Sequence, residues 1–193
     1  MANWEKALPA GYREAKVIDA KADRKLVVSM TAASFVVLVV FLGLAVLWQG
    51  RGLLTEPMPL RLALCFWVGL IAYIVLHELV HGAAYKLLTG QKLTFGVTLS
   101  VAFCGVPEIY VYRRASLIAV LAPFVVFTIV GAALLIVLDG AWARFFTLLF
   151  LGLHLGGCSG DLYNTWLYLT RFKDPRTLTR DTGPVQTFYV PED

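Results

Sequence analysis

The stretch that most constrains this chain is Leu76-His77-Glu78-Leu79-Val80-His81-Gly82, which sets three ionisable side chains into an otherwise apolar run. Its pattern is H-E-x-x-H. On an α-helix two histidines four residues apart share one face, about a turn from each other. Imidazoles so placed can hold one zinc ion, and Glu78 beside the first can take a proton from activated water. Upstream, Cys65 to Val75 carries no charge. Ionisable groups at membrane depth are costly to insert, so they mark function by default. The alternatives are a chance match or polar residues satisfied by neighbouring helices.

Composition supports the membrane setting. The chain is 59% hydrophobic and 16% charged over 193 residues, with a mean hydropathy of +0.72. A soluble domain is nearer half apolar and a quarter charged. The sequence therefore predicts an all-α polytopic membrane protein with four transmembrane helices over about residues 26–48, 62–88, 115–138 and 145–170. A short cytoplasmic β-hairpin over residues 92–113 joins the second and third helices, with a turn at Cys104-Gly105-Val106-Pro107. Residues 1–25 read as a polar cytoplasmic segment with room for an interfacial helix, and residues 171–193 as a polar cytoplasmic tail. No cleavable leader is expected, since a mixed-charge stretch precedes an apolar run too long for one. Cys65, Cys104 and Cys158 lack paired spacing and read as reduced thiols.

Fourteen of the 17 Lys and Arg fall on one set of alternate faces, against Arg51, Arg61 and Arg144 on the other. The positive-inside rule then puts both termini and the hairpin in the cytoplasm, for a protein expected in a prokaryotic plasma membrane. This also accounts for the net charge of +4 without a nucleic-acid partner.

Helical rise gives depth. His77 and His81 lie about 8–14 Å below the cytoplasmic boundary, Asp161 about 15 Å and His154 about 25 Å. His154, Cys158, Asp161 and Thr165 fall on one helical stripe flanked by Asn164. Asp161 matches the motif in depth, either as a ligand or as an interhelical hydrogen-bonding group. His154, Cys158 and Asn164 are candidates for supporting the site, His154 more simply as a packed core histidine. Gly152 and Gly156, on the opposite face, suit close helix packing. Pro123 sits at site depth and cannot donate a backbone hydrogen bond, which frees a carbonyl in the preceding turn. It is a candidate substrate contact or a plain helix kink.

With Gly160-Asp161-Leu162-Tyr163-Asn164 set beside His77–His81, the sequence resembles the zincin-type membrane peptidases, small four-span H-E-x-x-H proteins of unassigned role. More distantly it is similar to the site-two proteases. The resemblance runs from about Leu62 to Tyr168, includes Ala122-Pro123-Phe124, and lacks an Asn-Pro near Asp161 and any PDZ-like insertion. It implies one Zn²⁺ per chain held by His77, His81 and Asp161, with Glu78 as the catalytic base. The expected function is zinc-dependent hydrolysis of peptide bonds in membrane-associated or transmembrane protein substrates, near the cytoplasmic side of the lipid bilayer. The competing classes are a catalytically inactive metal-binding scaffold and a metal transporter. Glu78, useless to a closed structural site, speaks against the first; the scarcity of further acidic residues in the spans speaks against the second.

Overall fold

The computed structural model describes residues 3–19, 22–97 and 102–192. In chain order the elements are β1 (Trp4–Glu5), β2 (Tyr12–Asp19), α1 (Arg24–Thr55), α2 (Leu60–Thr89), β3 (Thr94–Val97), β4 (Ala102–Gly105), β5 (Tyr110–Tyr112), α3 (Arg113–Val137), α4 (Ala141–Gly157), α5 (Ser159–Thr170), β6 (Leu178–Asp181) and β7 (Val185–Pro191).

Helices α1, α2 and α3 are each long and apolar enough to cross a membrane, which marks a membrane protein. Large side chains such as Val36, Val40 and Leu47 on α1 are exposed, as lipid-facing positions would be. The expected fourth span is a pair of helices, α4 and α5, bent by 49° at a break. It counts as a fourth span only if the pair is taken together. The break follows Gly156-Gly157, where two residues of poor helix propensity adjoin, and it interrupts the helical stripe expected to run from His154 to Thr165.

The chain is not all-α. Two sheets are present among the described residues: five strands in the order β1-β5-β6-β7-β2, and the two-stranded β3-β4. Every pairing is antiparallel. Four strands of the larger sheet, β1, β2, β6 and β7, come from segments that read as polar tails. β2 pairs with β7 from Tyr12↔Pro191 to Asp19↔Val185, with a register shift between Glu14 and Lys16. Val185-Gln186-Thr187-Phe188-Tyr189-Val190 is rich in β-branched and aromatic residues, but its partner lies at the far end of the sequence. The expected hairpin over residues 92–113 is also redrawn. Its strands are β3 and β4, so Cys104 and Gly105 lie within a strand, not in a turn. Part of the expected first strand, residues 98–101, lies outside the described residues. The second expected strand, β5, pairs with β1 and β6 instead.

Two compact units emerge. One comprises Met1–Val27, Val75–Pro123 and Asp161–Asp193, and holds both sheets; the other comprises Val28–Ile74 and Phe124–Gly160. In the first unit, Tyr85, Val106, Ile109, Val111, Ala115 and Ala119 form one buried cluster. Ile18, Leu167, Tyr168, Phe172 and Phe188 form a second. The Arg113 guanidinium donates to the carbonyls of Tyr168 (Nη2, 3.0 Å) and Phe172 (Nε, 2.9 Å), closing the exposed C-terminal end of α5. In the second unit, a Cβ at Gly152 would meet Phe41 at 2.6 Å and one at Gly156 the Ser34 carbonyl at 2.8 Å. These glycines let α1 and α4 approach closely.

Candidate metal centre

The motif lies on α2, whose apolar run sets the helix and whose i, i+4 spacing turns His77 and His81 the same way. Their rings are 4.9 Å apart between centroids. A Glu78 carboxylate oxygen lies within 4.8 Å of one imidazole nitrogen of each. Asp161 is in the first turn of α5, where the helix dipole favours a negative charge. It therefore depends on the helix restarting after Cys158.

The structure brings Asp161 between the two histidines. Its Oδ2 is 3.3 Å from His77 Nε2, and its Oδ1 is 3.5 Å from His81 Nε2. The His77 and Asp161 side chains remain 12% and 19% exposed. His81 is held from behind: its Nδ1–H donates to the Ala119 carbonyl at 2.8 Å, since a carbonyl can only accept. The other ring nitrogen of a neutral His81 then presents a lone pair to a carboxylate oxygen. Two acceptors at 3.5 Å repel unless a cation lies between them.

That donor set fits zinc. Bonds of about 2.0–2.2 Å to nitrogen and oxygen put tetrahedral ligand atoms about 3.3–3.6 Å apart, and each imidazole nitrogen stands at such a distance from one oxygen of the Asp161 carboxylate, His77 from Oδ2 and His81 from Oδ1. Two imidazoles and one carboxylate make a three-ligand set that leaves a position open, as catalytic sites do, whereas structural sites are closed by four.

His154 and Cys158 belong to the second unit. There His154 Nδ1 accepts the Tyr73 hydroxyl at 2.9 Å, and its Nε2–H faces the Phe124 carbonyl at 3.3 Å. The Cys158 thiol lies 3.6 Å from His154 Nδ1. Asn164 stands one turn past Asp161, half-buried, with its Oδ1 buried and lacking a partner among the described residues. Pro123 is fully buried inside α3.

Two supporting groups escape a reading by residue type. One is the Ala119 carbonyl, which has no side chain to advertise it; the proline four residues on was its only signal. The other is Asp181 on β6, which accepts Tyr85 Oη–H at 2.8 Å, Gly183 N–H at 2.8 Å and Gln186 Nε2–H at 2.9 Å. Tyr85 lies one turn beyond His81 on α2, so these bonds tie the motif helix to the larger sheet. Burial pushes the Asp181 carboxyl above its ordinary value, against the pull of its hydrogen bonds. Burial, with the nearby Asp181 and Glu78 charges, also drives the Cys104 thiol up to about 12. The smaller sheet comes close as well. A Cβ at Gly82 would lie 2.6 Å from the Phe95 ring, so glycine after His81 lets β3 pack directly on the motif helix. Among the described residues β3 pairs only with β4, leaving its other edge open.

A family model described as "Putative zincin peptidase" matches residues 70–175, more than half of the chain, including the motif and Asp161. No curated protein and no solved structure matches the chain.

Proposed function

The chain belongs to this zincin peptidase family, and from that premise we propose that it is a zinc-dependent endopeptidase acting on membrane-associated or transmembrane polypeptides. The observation that carries the reading is the meeting of His77, His81 and Asp161 at 3.3 and 3.5 Å with Glu78 alongside. His77 Nε2, His81 Nε2 and the Asp161 carboxylate would hold one zinc. Bound there, zinc supplies Lewis-acid activation of water and of the scissile carbonyl. Glu78, a carboxylate bound to neither ring, accepts the proton of the attacking water and returns it to the leaving amine. The open edge of β3 offers main-chain donors and acceptors to an extended peptide. Such a substrate must be locally unwound, because helical carbonyls are already bonded within the helix.

The distribution of Lys and Arg supports cleavage near the cytoplasmic side, with both termini cytoplasmic and the bent pair α4–α5 serving as a fourth span. The test is zinc content of the detergent-purified chain together with peptide hydrolysis by wild type and Glu78→Gln. The expected result is about one zinc per chain in both proteins, with hydrolysis about 10²–10⁴-fold slower in the variant. A wild type that takes up no zinc, or a Glu78→Gln protein as active as wild type, removes the reading.

A further inference from the structure

Pro123 lies inside α3, four residues after Ala119. In a regular helix the N–H of residue 123 would donate to the carbonyl of residue 119. Proline has no N–H, and its ring crowds that carbonyl aside. Ala119 is fully buried, so a carbonyl left there without a partner would be costly. The partner it has is His81, whose Nδ1–H reaches it at 2.8 Å. The freed acceptor on α3 and the ring donor on α2 thus satisfy each other.

We propose that Pro123 is a positioning residue for the metal centre: by withholding a backbone N–H it reserves the Ala119 carbonyl for His81. That bond fixes which His81 nitrogen carries the proton and turns Nε2 toward Asp161. Outer partners of this kind set the tautomer and ring orientation of ligating histidines. Pro123 thereby acts on the site without touching substrate. Its value as a ligand-orienting device rests on the zinc reading above; the hydrogen bond itself does not.

The test compares wild type, Pro123→Ala and a chain carrying lactic acid, the α-hydroxy analogue of alanine, at position 123. The analogue puts an ester at that linkage, so it restores neither the ring nor the N–H donor. Three properties are read: the ring ¹⁵N signals of the metal-free protein, zinc affinity by competition with a chelator, and thermal unfolding. With only three histidines in the chain, the ring signals can be assigned. We expect Pro123→Ala to lose the Nδ1–H form of His81 and to bind zinc about 10–100-fold more weakly. Its unfolding temperature should be unchanged or higher, because a helix-interior proline is unfavourable. The ester chain should keep the wild-type tautomer and affinity.

A proline that matters only for packing would give the opposite pattern: lower stability in Pro123→Ala with the tautomer intact. That result overturns the proposal, as does an ester chain that behaves like Pro123→Ala. Should Pro123→Ala fail to fold, the ester chain still decides, since loss of the wild-type tautomer there overturns the proposal and its retention supports it. A wild type that binds no zinc defeats the function proposed above and leaves the tautomer comparison to stand or fall separately.

Discussion

His81 and His154 are both buried, both on helices and both bonded to a backbone carbonyl, yet they are prepared for different ends. His154 is fully buried. Its Nε2–H meets Phe124, and its Nδ1 accepts from Tyr73. The rings of Phe150, Phe127, Tyr73 and Phe124 stand around it with centroids 5.7–6.2 Å away. Each nitrogen has a hydrogen-bond partner, with Thr128 Oγ1 a further 3.2 Å neighbour of Nε2. His81 donates one N–H to a carbonyl in the same way, but its second nitrogen stands 3.5 Å from a carboxylate oxygen, which only a proton or a metal cation between them can satisfy. Burial and residue type do not separate the two. The partner of the second nitrogen does: a tyrosine hydroxyl for His154 and a carboxylate for His81.

The sharpest way to break this comparison is to remove each histidine in turn and measure bound zinc. His77→Ala, His81→Ala and Asp161→Ala should each lose zinc by more than the about 10–100-fold that deleting a ligand's outer partner costs. His154→Ala should keep the wild-type stoichiometry. Zinc lost from His154→Ala and kept in Asp161→Ala would reverse the roles. The second difference should appear in stability. His154→Ala leaves a cavity and removes the 2.9 Å hydrogen bond to the Tyr73 hydroxyl, for a cost of about 2–4 kcal/mol in thermal or denaturant unfolding. A variant as stable as wild type would mean that the ring is not the fixed core group drawn here.

The smallest effect concerns pH. Burial raises the Asp181 carboxyl in the folded chain, so its neutral form is favoured on folding. That contribution is fully present below the unfolded carboxyl value of about 4. It is lost as pH rises through the higher folded value. Relative to Asp181→Asn, wild type should lose stability as pH climbs from about 4 toward neutrality. A stability difference that stays flat across that range would show Asp181 to be ionised without penalty.

The sequence displayed the parts of this site that depend on short spacing. The His77–His81 pair needs only the helical repeat, and Asp161 could be matched to it by rise along the chain, even though the helix carrying it breaks at Cys158. What stayed hidden depends on backbone groups or distant partners. The Ala119 carbonyl is invisible to residue type. Asp181 looked like one more charge in a polar tail, because the strand that carries it is held by residues far away in sequence. Gly105 reads as a turn; it pairs with Thr94 in β4, and its missing side chain makes room for the backbone of Asp181 to Gly183, within 2.6–2.9 Å of where a Cβ would be. The all-α expectation failed for the same reason. Charged residues on β2 such as Arg13, Glu14 and Lys16 suit an exposed sheet edge as well as a solvated tail.

The pairing of β2 with β7 has a consequence for biogenesis. A ribosome delivers residues 12–19 early and residues 185–191 late, after every helix has been made. The unit that carries His77, His81 and Asp161 stays unfinished until β7 leaves the exit tunnel. Its closure is a long-range step, slow by the usual relation between sequence separation and folding rate.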